Sequence, residues 1–126
     1  VMERLSFFCD EGKGILTPHQ IEFCRKLHLI MNSFHSDADF NAGKLAEYLE
    51  LSRRQLYREM ERIGHTPAPY IREFRMVKAK EHIDSSSVRR VKELAYRVGY
   101  KSAETFSDHF YQHYQIRPSE LLREVA

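Results

Sequence analysis

The stretch VKELAYRVGYKSAETFSDHFYQHYQIRPSELL, residues 91–122, decides the fold. Val98 follows Leu94 by four positions and Ala95 by three, which is the spacing of a short amphipathic helix. Gly99 then suits a turn, because glycine adopts a positive φ at little cost. Further apolar residues four apart follow the turn and predict a longer second helix. The stretch therefore predicts a helix-turn-helix unit.

The same order of signals occurs earlier in the chain, in LAEYLELSRRQLYREME, residues 45–61. Ser52 and Gln55 form the pattern of a capping box, and Leu56 and Met60 again lie four apart. Glu50 stands where the later unit has glycine, and glutamate forms such a turn less readily than glycine does. One such unit is equally typical of an ordinary antiparallel helical bundle, but two at matched spacing favour a repeat of helix-turn-helix units.

A long helix is predicted between the two units. Thr66-Pro67 repeats a cap-then-proline start, and Ser85-Ser86-Ser87 ends the pattern. Its apolar side is predicted to be Ile71, Phe74, Val77 or Lys78, and Ile83, with small Ala79 allowing close packing. The helix over residues 67–84 would be roughly 27 Å long. That length approaches the roughly 34 Å between successive major grooves on one face of DNA.

The N-terminal part predicts one more helix, opened by Thr17, Pro18 and Gln20. Its apolar stripe is Ile21, Cys24, Leu27, Met31 and Phe34. The stripe is expected to cover the protein's own core. The alternative is an exposed interface, which would make the chain a helical protein-interaction or dimerisation module without DNA binding.

No stretch alternates as a strand does, so we expect an all-α fold with two helix-turn-helix subdomains joined by a long linking helix. The expected divisions are a linker or tail of a further domain, the first subdomain, the linking helix and the second subdomain, at residues 1–16, 17–66, 67–85 and 86–126.

Composition and motifs favour few other functional classes for this chain. The 126 residues carry a net charge of only +2, although arginine and lysine cluster in three segments that could equally be solvated helix faces. No apolar run approaches the about 18 residues of a membrane span. Cys9 and Cys24 are expected to be free thiols in a reducing cytoplasm. His109 and His113 have zinc-helix spacing, but Phe110 occupies the place of the protease glutamate. We therefore expect no metal, no cofactor and no enzyme activity.

Two helix starts are the candidate DNA-reading elements. Arginine pairs bidentately with guanine, and carboxylates accept from the cytosine amino group. From their chemistry, Arg54 and Arg58 are expected to read bases in the first unit, and either Glu104 or Asp108 in the second. The residues expected to contact phosphate are Ser52, Arg53, Arg62, Lys101 and Ser102. The two carboxylates repel phosphate, so the second unit is expected to bind more weakly.

These segments, with PAPYIREFRMVKAKEHI between them, resemble the AraC/XylS-type transcription regulators over about residues 36–124. The resemblance implies two helix-turn-helix subdomains contacting adjacent major grooves of double-stranded DNA in a bacterial cytoplasm. It adds Tyr57, Ala103 and Ser107 to the base-reading positions. It also implies an effector-binding or signal-receiving domain elsewhere on the full-length chain. Two departures stand out: the stretch 60–64 is one residue shorter than is usual, and Asp108 stands where relatives often have a basic residue.

Overall fold

The computed structural model describes residues 16–125, and this part of the chain contains helices and no strand. We label the helices in chain order. They are α1 (Pro18–Phe34), α2 (Ala42–Tyr48), α3 (Arg53–Arg62), α4 (Pro67–Asp84), α5 (Val91–Arg97), α6 (Ala103–Tyr114) and α7 (Pro118–Val125). The expected all-α class is confirmed, and each predicted helix is present.

The chain divides into two compact units. Of the described residues, the first unit contains residues 16–34 together with Asn41–Ile71, and the second contains His35–Phe40 together with residues 72–125. The division falls inside α4, so this helix contributes its first turn to one unit and the rest to the other. Each unit contains one helix-turn-helix pair, α2 with α3 in the first unit and α5 with α6 in the second.

Local capping explains where several helices begin. At α1, the Gln20 amide donates to the Thr17 hydroxyl (3.1 Å) while the Thr17 amide donates to the Gln20 side chain (2.9 Å). The Asn41 side chain accepts from the Lys44 amide at the start of α2. These contacts satisfy amides that have no partner inside the helix. They span only three residues, which is why the sequence alone predicts them.

The apolar stripe of α1 is largely buried, as expected of a helix that covers its own core. Phe23, Cys24, Leu27 and Met31 are buried, and the ring of Phe34 stacks on Tyr48 with centroids 4.3 Å apart. The other buried residues of the described part of this unit are Leu45, Ala46, Leu56, Met60, Ile63, Pro67, Tyr70 and Ile71. Burying one such large apolar side chain stabilises the fold by about 1.5–3 kcal/mol.

The second unit has its own core, formed by all four of its helices. Its buried members are Met76, Ala79, Ile83, Val88, Leu94, Ala95, Val98, Phe106, Phe110 and Leu122. Tyr114 packs against this cluster and donates its hydroxyl to the Met76 carbonyl at 3.2 Å. The predicted stripes of α5 and α6 are therefore confirmed.

The single apolar side predicted for α4 is too simple. Ile71, Phe74, Ala79 and Ile83 are buried as expected, but so are Tyr70 and Met76, whereas Val77 and Lys78 are only half-buried. The reason is that this helix belongs to two units. A helix that contributes to two separate cores is buried on more than one side, and a search for one stripe misses part of its buried surface.

The expectation for the cysteines is also wrong in part. Cys24 is buried in α1 and is disulfide-bonded, so it is not a free thiol. Cys9, like most of the predicted tail at residues 1–16, lies outside the described residues. Between residues 16 and 125, no helix is both long enough and apolar enough to cross a bilayer.

Candidate nucleic-acid interface

The turn between α2 and α3 adopts a left-handed conformation at a residue that is not glycine. Glu50 has φ 59°. Its amide donates to the Glu47 carbonyl (3.0 Å), and the next amide, that of Leu51, donates to the Ala46 carbonyl (2.9 Å). This pair of hydrogen bonds is the usual way to close a helix with a left-handed residue. The predicted turn of the first unit therefore forms without a glycine, and it leads directly to Ser52.

Ser52 begins α3 with a complete capping box. Its hydroxyl oxygen accepts from the Gln55 amide (3.1 Å), and its own amide donates to the Gln55 side chain (2.9 Å). Because a hydroxyl has one donor and two acceptor sites, the O–H of Ser52 is still able to donate to a phosphate. The box also fixes the direction of the first turn, where the candidate base-reading residues lie.

The outward face of α3 presents two arginines, Arg54 and Arg58. Leu56 and Met60 are fully buried, which directs Arg54, Tyr57 and Arg58 to the exposed side. Within residues 16–125, no ion pair engages Arg54 or Arg58. The ring of Tyr57 is 48% exposed, so it also lies on the accessible surface. This face can offer guanidinium groups to guanine edges without first breaking an internal salt bridge.

The two phosphate candidates on α3 differ from each other. Arg53 is exposed at the start of the helix. Arg62 lies in its last turn and pairs with Glu59 at 3.2 Å, and the other oxygen of Glu59 lies 3.3 Å from the Nε2 atom of His19. Arg53 is therefore better placed for a phosphate at the helix start, whereas Arg62 is already engaged with a carboxylate.

The turn between α5 and α6 has the same geometry, here with glycine. Gly99 has φ 88°, and the next amide, that of Tyr100, donates to the Ala95 carbonyl (2.9 Å). A Cβ atom on Gly99 would lie 2.3 Å from the His35 carbonyl oxygen, which is far inside van der Waals contact. Glycine is therefore required here both by the backbone conformation and by the close approach of another segment.

The outward face of α6 is acidic. Phe106 and Phe110 are fully buried, which places Glu104 and Asp108 on the exposed side. Ser107 is half-buried. A carboxylate oxygen of Asp108 lies 4.0 Å from the guanidinium of Arg117, the residue before α7, so part of its charge is balanced there. These positions can accept hydrogen bonds from bases but give no attraction to phosphate.

Ala103 and the two residues before α6 complete this face. Ala103 is half-buried and packs against the core, which limits its access to a base. The Ser102 hydroxyl accepts from the Thr105 amide at 3.2 Å and caps the helix. Lys101 donates to the Asp39 carboxylate at 2.9 Å. This hydrogen bond and the carboxylate charge raise the pKa of Lys101. The negative charge of Asp39 therefore offsets part of the attraction of Lys101 for a phosphate.

One supporting residue was not singled out by the sequence. The half-buried Arg75 donates from Nε to the His35 carbonyl and from Nη2 to the Asp37 carbonyl, each at 3.0 Å. Burial lowers the pKa of this guanidinium, partly offset by Tyr100 and Asp37. Arg75 thus fixes the segment that approaches Gly99. No local pattern reveals this role, because the partners lie about forty positions away in the chain.

The two histidines considered for zinc have other neighbours. The Nδ1 atom of His109 lies 2.6 Å from the Tyr100 hydroxyl, and the two rings meet edge to face. Burial lowers the pKa of His109, and the charge of Arg72 lowers it further. His113 packs edge-on against Tyr114. Among the residues described, no group of three or more His, Cys, Asp or Glu side chains could hold a metal ion.

Two capped helices, each following a left-handed turn and exposing polar side chains at its start, define a double helix-turn-helix protein. Known proteins support this class. A family model described as a helix-turn-helix domain matches residues 45–124. The chain belongs to the AraC-type family of helix-turn-helix transcription regulators.

The named relatives are bacterial regulators. The HTH-type transcriptional activator RhaS of Escherichia coli O139:H28 is 31% identical over 88 residues, which cover 69% of this chain and 31% of that protein. RhaS of Shigella boydii serotype 18 is 30% identical over the same length. The match thus spans about a third of the length of these curated relatives.

Two solved structures share the fold. The C-terminal domain of AraT, a response regulator from Geobacillus stearothermophilus, has a TM-score of 0.73 and 26% identity, and the match covers 86% of this chain and 87% of that one. The C-terminal domain of the two-component response regulator yesN from Fusobacterium nucleatum has a TM-score of 0.68 and 27% identity, covering 76% and 93%.

Proposed function

We propose that this chain is the DNA-reading part of a transcription regulator and that α3 and α6 enter adjacent major grooves of one duplex. The observation that carries the proposal is the outward face of α3, where Arg54 and Arg58 are exposed, free of carboxylate partners in the described chain, and positioned by the Ser52 capping box. An arginine so placed can form two hydrogen bonds with one guanine. Tyr57 completes the base-reading set of this helix.

In this proposal α6 reads bases through carboxylates and a hydroxyl, whereas α3 reads them mainly through arginines. Glu104 and Asp108 accept hydrogen bonds from cytosine amino groups, and Ser107 bonds to either partner of a base pair. Phosphate contacts come from Ser52, Arg53 and Arg62 in the first unit and from Lys101 and Ser102 in the second. Because α6 exposes carboxylates and Lys101 starts out paired with Asp39, the second unit adds less affinity than the first.

The rest of the proposal concerns the whole protein. The partner is double-stranded DNA in a bacterial cytoplasm. An effector-binding or signal-receiving domain lies elsewhere on the same full-length chain, consistent with a match that spans about a third of its curated relatives. The chain acts by binding and has no enzyme activity.

Selection of bound sites from a pool of random duplexes tests the proposal. We expect an asymmetric motif with two half-sites about one helical turn apart. The half-site lost in the variant Arg54→Ala is the one read by α3. Arg25→Ala, which removes an exposed arginine from α1, is the matched control and should keep the motif. Affinity for the selected site should fall with salt by a slope of about 0.9 per phosphate contacted.

Two outcomes would oppose the proposal. Failure to enrich any motif, with no duplex binding above the random background, would favour a helical interaction module instead. A single short motif that survives Arg54→Ala and Arg58→Ala would show that α3 does not read bases.

A further inference from the structure

The second unit carries an open groove beside α5, the helix that precedes its candidate DNA-reading helix. Its volume is about 1020 Å³, and it is lined by residues 86–97, from the loop before α5 to the end of that helix. Binding sites for compact ligands usually measure about 300–1,000 Å³. None of the candidate DNA contacts at residues 101–108 lines the groove. It is thus separate in sequence and in surface from the start of α6.

The charge of this groove has one predominant sign. Four cations line it, namely Arg89, Arg90, Lys92 and Arg97, and Glu93 is the single carboxylate among its lining residues. Glu93 lies 3.7 Å from Arg97, so its charge is already balanced within α5. A ligand that fits this surface must be anionic.

The groove also offers apolar contact. Val88, which belongs to the core of the unit, reaches its lining. The ring of Tyr96 is 77% exposed, more than any of the other large exposed apolar side chains described. Exposed tyrosine is a frequent anchor of protein interfaces, because its ring buries much area and loses little conformational entropy. Arginine and lysine add aliphatic stems to such a surface.

We propose that this groove docks an acidic segment of a partner protein that carries an aromatic or large aliphatic side chain. The partner's carboxylates pair with Arg89, Arg90 and Lys92, and its apolar side chain packs on Tyr96. A DNA duplex fits the same features less well, because its two backbones present phosphates and sugars while its bases are stacked inside. Phosphate contacts alone would use the cations and leave the tyrosine ring exposed.

A display library of short random peptides, selected on the intact chain, is the direct test. We expect the enriched peptides to combine Asp or Glu with Phe, Tyr, Trp or Leu. Tyr96→Ala should weaken their binding by about tenfold, as expected for loss of an interface anchor. Arg90→Gln should weaken it as well, and more so at low salt.

Matched controls separate the groove from the rest of the unit. Tyr111→Ala removes an exposed tyrosine from α6, and Arg123→Gln removes an exposed arginine from α7. Both should leave peptide affinity unchanged. Tyr96→Ala should also leave duplex affinity unchanged, which distinguishes this proposal from the DNA-binding one.

Three results would overturn the inference. Selection could enrich no acidic sequence. The enriched peptides could bind Tyr96→Ala as well as the parent chain. Finally, Arg90→Gln and Tyr96→Ala could both lower duplex affinity while no peptide is enriched, and the groove would then be a contact for the DNA backbone.

Discussion

The two helix-turn-helix pairs share their backbone plan but differ in turn chemistry and in the charge of the exposed helix. Glu50 and Gly99 occupy equivalent turns and both have positive φ, at 59° and 88°. Beyond the turns, α3 exposes arginines and α6 exposes carboxylates. Backbone hydrogen bonds and capping can therefore set the geometry of the turn and of the helix start, whatever side chains the outer face carries. The outer faces are then free to differ in what they bind.

Truncating the core of the second unit should have the largest effect. Phe110 is fully buried, and replacing such a residue with alanine usually costs about 3–5 kcal/mol. We expect Phe110→Ala to abolish the cooperative melt of the second unit while the first unit stays folded, as followed by amide NMR during urea titration. The neighbour Tyr111 is exposed, so Tyr111→Ala should melt like the parent chain. Equal stability of the two variants would contradict the burial of Phe110 in the core of the second unit.

The second turn should be far less tolerant than the first. Gly99→Ala places a left-handed alanine next to the His35 carbonyl, and we expect a loss of at least about 2 kcal/mol in the free energy of unfolding. Denaturant titration measures it. A loss below about 1 kcal/mol would mean that only the backbone conformation matters and that the close approach of His35 is easily relieved.

The charge contrast should be visible in DNA binding. Arg54→Ala and Arg58→Ala should each weaken binding to the selected site by about 1–3 kcal/mol and relax the preference at one base pair. The control Arg25→Ala should change affinity only slightly. Fluorescence anisotropy with selected and scrambled duplexes separates the two effects. If both arginine variants lose the same affinity on both duplexes, they contact phosphates and do not read bases.

Giving the first turn the residue of the second should stabilise the protein slightly. Glu50→Gly relieves a left-handed conformation that costs about 1–2 kcal/mol, although glycine returns about 0.4–1 kcal/mol of that through the entropy of the unfolded chain. The expected net gain in the free energy of unfolding lies between zero and about 1.6 kcal/mol, measured by thermal or chemical unfolding. Glu47→Gly makes the same change inside α2 and should instead destabilise by about 1 kcal/mol. If Glu50→Gly destabilises the protein as Glu47→Gly does, the backbone at Glu50 is not left-handed.

The smallest expected effect concerns the paired lysine. Asp39→Asn removes the carboxylate that holds Lys101, so the ammonium group becomes available for phosphate. We expect a several-fold gain in duplex affinity at low salt, with a steeper salt dependence. The double variant Asp39→Asn with Lys101→Ala should lose that gain. A gain that persists without Lys101 would reflect net charge alone.

The contrast also shows how far a sequence can predict a binding site. The exposed positions of Arg54 and Arg58 follow from the buried spacing of Leu56 and Met60, so their placement on α3 was predictable. The pairing of Lys101 with Asp39 was not, because these residues are 62 positions apart. The availability of a cation depends on such distant partners as much as on the face that it occupies.

The amino-acid order by itself determined the helices, their caps and most of the buried stripes. The caps are contacts within one turn of the chain, and the spacing of apolar residues marks the side of a helix that packs inward. The order also determined that two turns precede two capped helices. Only the tertiary structure decided that Arg75 supports the segment at Gly99, that Tyr70 and Met76 are buried, and that Cys24 is not a free thiol. Those features depend on segments distant in sequence that meet in the folded chain, and no local spacing encodes which segments will meet.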